Sequence, residues 1–329
     1  IKQEPRILPY VLAINEGIAE VLREQEMAFL AGEDVAEAGG VYGYCGGLLA
    51  EFGEDRVIDT PISEKGIMGL GVGASATGCR PIIDLMFMDF VGECMDEVAN
   101  QMAKMRFMFG GGATLPVTVL TMGGAGGNLA AQHSQSLEAW LAHLPGLKVV
   151  MPSDAYDAKG MIIAACRDDN PVFVVLNKAS LALSMEVPEG AYEVPIGKAI
   201  VRREGTDLTI VGIGRMVHEA MAAAEQLKEL GLDVEVIDAR TVQPFDTETV
   251  INSIKKTHRA LIVHEAVKFC GIGGEIVAQI QEFAFDYLDA PVMRVGAPFS
   301  PVPFSPPLEK AYIPSADSIV AQVKQTLEL

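Results

Sequence analysis

Short runs of β-branched and other apolar residues alternate with longer helical stretches along nearly the whole of this 329-residue chain. That alternation constrains the fold more than any other feature, because parallel strands need crossover helices that cover both faces of their sheet, whereas sandwiches and bundles do not. Strands are predicted at Arg56–Thr60, Pro81–Phe87, Pro116–Thr121, Leu147–Pro152 and Pro171–Leu176. Apolar residues recur three and four apart in Met95–Phe107 and Ala155–Arg167, which predicts amphipathic helices there. The pattern lapses around Glu186, Pro188, Gly190 and Pro195. It resumes with strand Leu208–Ile213, helix Met216–Leu230, strand Val234–Ala239, helix Thr247–Thr257, strand Ala260–His264, helix Gly274–Phe285 and strand Pro291–Val295. The fold class is therefore α/β, in two domains: residues 1–180, a linker at 181–196, and residues 197–329. The proline-rich stretch Ala297–Pro307 reads as extended chain before a final helix near Ser315–Leu329.

Half of the residues are hydrophobic, a content that points to extensive subunit contacts. The most apolar stretch, Gly66–Phe90, is interrupted by Arg80, Asp84 and Asp89, so no membrane span is expected. Residues Ile1–Pro9 carry no targeting signal, and the chain does not begin with Met, which leaves room for a removed leader. A cytoplasmic location is expected, or the mitochondrial matrix in a eukaryote. The net charge of -19 excludes nucleic acid as the expected partner, since neutralising phosphates needs clustered Lys and Arg. Cys45, Cys79, Cys94, Cys166 and Cys270 are scattered and form no CxxC pair, which favours buried thiols over disulfides or zinc.

Three segments have the chemistry of a site. Asp59-Thr60-Pro61-Ile62-Ser63-Glu64 places a carboxylate after a strand, at the start of a helix of small residues. Glu64 is there either as an acidic group favoured in a helix's first turn or as a general acid/base at a strand's carboxyl end. Thr121-Met122-Gly123-Gly124-Ala125-Gly126-Gly127-Asn128 could cradle a phosphate or simply shape a pocket, but neither a Walker lysine nor a dinucleotide fingerprint accompanies it. His133 follows that loop between amide and hydroxyl neighbours, in either a catalytic or a structural role. Met86-Phe87-Met88-Asp89-Phe90 offers soft and aromatic surface for a planar ring, or for core packing. The residues alone reach a two-domain α/β protein with a strand-end pocket near Glu64, Phe90 and His133, and they stop short of a reaction.

Several phrases, in order and spacing over essentially the whole chain, resemble the β subunits of the thiamine-diphosphate-dependent 2-oxo acid and acetoin dehydrogenases. They are Gly32-Glu33-Asp34-Val35, Asp59-Thr60-Pro61-Ile62-Ser63-Glu64, Gln132-His133-Ser134-Gln135-Ser136, Pro145-Gly146-Leu147-Lys148-Val149-Val150, Asp157-Ala158-Lys159-Gly160 and Asp238-Ala239-Arg240-Thr241. The resemblance implies a transketolase-type pyrimidine-binding domain followed by a transketolase C-terminal-type domain. It implies that Glu64 activates the aminopyrimidine of thiamine diphosphate, that Met86 and Phe90 pack against it, and that His133 faces the substrate. Gly-Asp-Gly does not occur. By the resemblance, magnesium and the diphosphate are therefore held by an α subunit in an α2β2 heterotetramer, with decarboxylation or C–C cleavage followed by reductive acylation of a lipoyl group.

The same resemblance implies a potassium ion on main-chain carbonyls at Val117, Ala165, Asp168 and Asn170. It also implies docking of the acyltransferase core's binding domain on the C-terminal region, which ends at Leu329. Leu120 and Leu176 stand where many relatives have Arg and Glu; if those residues pair in relatives, both ends of an ion pair have become apolar together, which can be energetically neutral. Ser136-Leu137-Glu138-Ala139-Trp140 and the Pro301–Pro307 tail look closer to acetoin-type relatives. The alternative to a catalytic subunit is a decayed one that mainly docks the acyltransferase core.

Overall fold

The structure, a computed structural model, describes residues 5–327. Residues 1–4 of the leader expectation and Leu329 of the docking expectation lie outside the described residues. The chain divides into two compact units. The first runs to Gly123 and resumes at Trp140–Ile196, and the second takes Gly124–Ala139 and everything from Gly197.

The first unit contains β1 (Ile7–Pro9), α1 (Tyr10–Glu24), β2 (Ala28–Gly32), α2 (Leu48–Phe52), β3 (Val57–Asp59), α3 (Glu64–Ala76), β4 (Arg80–Phe87), α4 (Met105–Met108) and β5 (Thr118–Gly123). After α5 (Glu138–Ala142), which straddles the division, come β6 (Lys148–Val150), α6 (Ala155–Arg167), β7 (Val172–Asn177) and β8 (Ser184–Glu186). Its strands are parallel in the order β6-β7-β5-β4-β2-β3. β5 is buried along its whole length and β7 along all but its last residue, the condition that makes parallel strands read as unbroken apolar runs. On one face α1 and α6 pack together at Gly17, where an added Cβ would stand 3.2 Å from the Lys159 carbonyl oxygen. Ile14, Ile18, Met161, Ile162 and Val174 are fully buried in that core, each such side chain contributing about 1.5–3 kcal/mol. Leu120 and Leu176 are fully buried in the same cluster, so the apolar pair fills the site with packed side chains.

Three local features depart from the sequence expectation. The single helix predicted over Met95–Phe107 is instead a π turn at Glu97–Met102 and the short α4. The Ala103 N–H donates five residues back to the Val98 carbonyl, and the Ala103 carbonyl lies against Gly146. A Cβ at Gly146 would come within 1.9 Å of that oxygen, which explains the glycine in Pro145-Gly146-Leu147. Within the stretch read as linker, β8 pairs antiparallel with β1, and Tyr192 stacks on Tyr156 at 4.6 Å, so the segment packs on the first unit. Past the extended chain beginning at Pro298, Pro306 and Pro307 open a helix rather than prolong the tail, because proline is tolerated where the first N–H groups lack intrahelical partners.

The second unit contains β9 (Ile200–Arg203), β10 (Leu208–Gly212), α7 (Met216–Glu229), β11 (Val234–Asp238), β12 (Thr241–Gln243), α8 (Thr247–Thr257) and β13 (Ala260–Val267). It ends with α9 (Gly273–Ala284), β14 (Met293–Ala297), α10 (Pro306–Tyr312) and α11 (Ala316–Leu327). One sheet runs β14-β13-β10-β11-β9, parallel except for the edge strand β9. All five cysteines are free thiols, and no helix among the described residues is long and apolar enough to cross a membrane.

In β13 the fully buried ring of His264 is enclosed by three glycines. Added Cβ atoms at Gly271, Gly273 and Gly296 would stand 2.6, 2.8 and 3.2 Å from it. Neither ring nitrogen has a hydrogen-bond partner among the described residues. Burial, with the nearby Arg294 and Lys268 charges, pushes its pKa down to about 4. The unfolded chain takes up this proton near pH 6.5, so the ring's contribution is complete above that pH and falls as pH drops toward 4, by on the order of 3 kcal/mol. A His264→Phe variant should keep the packing and lose this acid sensitivity. Comparing urea titrations of variant and native chain between pH 7 and pH 4.5 cancels the other titrating groups, and parallel pH profiles would refute the assignment.

Candidate functional site

The carboxyl ends of β2, β3 and β4 bring together the acidic and aromatic residues. Gly32 ends β2, and a Cβ there would meet both Cβ and the carbonyl oxygen of Asp84 at 2.8 Å, so only glycine lets the strands close around that aspartate. Asp84 is 5% exposed and accepts the Tyr44 hydroxyl at 2.7 Å and the Met86 N–H at 2.7 Å. Burial pushes it up to about 6, with these two donors pulling it back. The Met86 turn is left-handed, φ +58°, and the β4–β5 register shifts between Asp84 and Phe87. That local break turns Met86 half outward and leaves Phe87 and Phe90 edge to face at 5.3 Å. Tyr42 packs edge-on against Phe87 at 5.7 Å, and the buried Lys178 ammonium lies 5.5 Å from the Phe87 ring centre.

Glu64 is half-buried and is the first residue of α3, whose cap is Ser63, accepting the Gly66 N–H at 3.3 Å. α3 presses on β4 at Gly71, where a Cβ would stand 2.8 Å from Ile83 Cγ1, and it packs along the turn Met88–Cys94 that carries Phe90. Glu33 is raised by burial first and then by the charges of Glu64, Asp34 and Asp84. Buried oxygens of Thr60 and Tyr42 lack hydrogen-bond partners among the described residues. Such orphans are rare in folded proteins, and here they lie in the segments that follow the carboxyl ends of β2 and β3, where parallel sheets bind ligands. The donor set fits a flat heteroaromatic ring carrying nitrogen and amine groups.

Of the predicted residues, Glu64, Met86 and Phe90 belong to the first unit, and His133, half-buried, belongs to Gly124–Ala139 of the second. In that stretch the Gly124 N–H donates to the Gln135 carbonyl at 3.1 Å, closing a loop around His133. The N–H groups that could have cradled a phosphate are taken: Ala125 by Glu265, and Gly126 and Asn128 by Glu309. Glu138, 1% exposed, is pushed up to about 7 by burial and then by Glu265.

Val117 precedes β5, Ala165 lies in α6, and Asp168 and Asn170 lie in the turn between α6 and β7. The Val117 carbonyl accepts Val172 N–H, Ala165 accepts Asp168 N–H, and Asp168 accepts Arg80 Nη1, each leaving a second lone pair. The carboxylates of this turn are engaged, Asp168 by Lys148 and Asn170, and Asp169 by Arg80. Among the described residues no group of three or more His, Cys, Asp or Glu could hold a metal ion. Sequence reading missed Asp84, Tyr44, Tyr42, Thr60 and Lys178; the available signal was an aspartate inside an otherwise apolar strand.

The chain matches the family described as transketolase, pyrimidine binding domain, over residues 8–183, and that described as transketolase, C-terminal domain, over residues 197–319. It is 48% identical to the acetoin:2,6-dichlorophenolindophenol oxidoreductase subunit beta of Bacillus subtilis (strain 168), covering 98% of this chain and 97% of that protein. It is 44% identical to the pyruvate dehydrogenase E1 component subunit beta of the same organism, covering 97% and 98%. A solved structure described as a split gene transketolase, inactive beta4 tetramer, superposes with a TM-score of 0.80 at 24% identity over 96% of this chain and 97% of that one, a likeness of fold.

Replacing Tyr44 by Phe removes the hydroxyl that donates to the buried Asp84 carboxyl. The expected loss is about 1–3 kcal/mol of stability in a denaturant titration. An unchanged midpoint would mean that Asp84 does not depend on the hydroxyl.

Proposed function

The chain belongs to the family of thiamine-diphosphate-dependent dehydrogenase β subunits that includes those of acetoin and pyruvate dehydrogenases, and from that membership we infer that it oxidises acetoin or a 2-oxo acid together with an α subunit. The observation that carries this reading is the half-buried Glu64 at the start of α3, packed along the turn that presents Phe90. No observation favours a decayed scaffold.

Thiamine diphosphate, when bound, would supply a carbon nucleophile for the substrate carbonyl. Glu64 would hydrogen-bond the ring nitrogen of its aminopyrimidine, and Met86 and Phe90 would pack against that ring. His133 transfers a proton at the substrate end. The α subunit holds magnesium and the diphosphate, since this chain has no Gly-Asp-Gly and its glycine loop has its N–H groups engaged. The acyl product passes to a lipoyl group on an acyltransferase core, in an α2β2 assembly in the cytoplasm, or in the mitochondrial matrix of a eukaryote. Exposed Ile62, Phe107, Phe299 and Phe304, each at least 70% accessible, support an assembly that covers apolar surface.

A Glu64→Gln variant, assembled with the α subunit, should lose about 100- to 10,000-fold in turnover of acetoin, pyruvate and branched 2-oxo acids with dichlorophenolindophenol as acceptor. Its gel-filtration profile should match the native complex. Native rates in the variant would sink the assignment.

The carbonyls around Val117, Ala165, Asp168 and Asn170 form a potassium site in this reading, because carbonyl ligation without a free carboxylate suits a monovalent ion. The melting temperature should then rise in potassium chloride relative to choline chloride at equal ionic strength. Identical melting in the two salts rules the site out.

A further inference from the structure

Two buried carboxylates, far along the chain, hold the backbone of the loop that leads to His133. Glu309 on α10 is 3% exposed; it accepts the Gly126 N–H at 3.0 Å and the Asn128 N–H at 3.0 and 3.2 Å. Glu265 in β13 is 8% exposed and accepts the Ala125 N–H at 2.6 Å. Burying two carboxylates carries a desolvation cost that a surface position would avoid. What they hold is a backbone that would not keep its shape unaided. Gly124, Gly126, Asn128 and Ala130 alternate in left-handed conformations at φ +79°, +100°, +54° and +60°. For the two that are not glycine, that conformation is strained and persists only where the surroundings impose it. Charge-assisted hydrogen bonds to successive N–H groups impose it here. The Gly124 to Gln135 bond then closes the loop, with His133 inside it.

We propose that Glu265 and Glu309 are positioning residues, whose carboxylates fix the 124–135 loop and thereby set His133 for proton transfer. The inference rests on the role given to His133 above. The functional reading alone did not require it, since a catalytic histidine on a glycine-rich loop could equally be ordered by substrate.

The test uses the complex of this chain with its α subunit. Hydrogen-exchange mass spectrometry reads the loop, and steady-state turnover reads the chemistry. In Glu309→Ala, exchange over residues 124–137 should quicken by about tenfold or more while β10 and β11 stay protected, and kcat should fall by about 10- to 100-fold with KM changed less than about twofold. Glu309→Gln keeps a neutral acceptor oxygen and should fall between the native complex and Glu309→Ala in both readouts. Faster exchange throughout the second unit would mean a plain structural role and overturn the proposal. So would a loosened loop with native kcat, or an unchanged loop. If Glu309→Ala does not assemble, Glu309→Gln and Glu265→Gln decide by the same criteria, and failure of all three to assemble also overturns it. Full turnover by His133→Ala would instead refute the role of His133, whatever the loop's exchange shows.

Discussion

The buried carboxyl of Asp84 governs the geometry of the strand ends in the first unit. A carboxyl at 5% exposure needs donors, and the Tyr44 hydroxyl and the Met86 amide donate to it. Taking the amide two residues on forces Met86 into a left-handed turn and breaks the ladder to β5. The break lets the chain leave the sheet at Phe87, and the next residues coil into the turn that places Phe90 edge-on to it. α3, with Glu64 at its start, lies along that turn. Gly32 closes the other side, where any side chain would strike Asp84. One hydrogen-bonded carboxyl thus couples the placement of the carboxylate and of the aromatic surface.

Much of the architecture was legible because parallel strands buried on both faces write themselves as apolar runs. β4, β5, β6 and β7, and later β10, β11, β13 and β14, all stand where such runs occur. What escaped was structure whose cause lies elsewhere in the chain. β1 and β8 are three-residue strands that exist only through each other. β9 is a half-buried edge strand with two arginines, too polar to stand out. The helical periodicity of 95–107 is real, yet Gly146 meets the Ala103 carbonyl there and the helix gives way to a π turn. Pro306 and Pro307, which argue against a helix interior, are well placed as a helix start, a distinction that periodicity alone does not make.

The candidate site was legible to the extent that it depends on short phrases. Glu64, Met86, Phe90 and His133 came from motifs, and the resemblance turned an ordinary first-turn glutamate into a proposed activating group. Asp84, Tyr44 and Thr60 did not come, because what marks them is burial and hydrogen bonding, which no local pattern records. The glycine loop illustrates the limit most clearly. Its composition suggests an open anion cradle, whereas its donors are occupied by carboxylates 140 and 183 residues farther on.

The glycine cage around His264 has an evolutionary corollary. The ring fills the volume that a side chain at 273 would otherwise claim, so positions 264 and 273 share a single steric allowance, whereas at 271 and 296 the Val267 and Ala266 carbonyl oxygens also stand in the way of a side chain. A larger residue at 273 requires a smaller one at 264, and a smaller residue at 264 opens a void that 273 can fill. Substitutions at this pair are therefore permissible chiefly in combination, so drift there should be correlated across descendants of this chain, whatever reaction the protein performs.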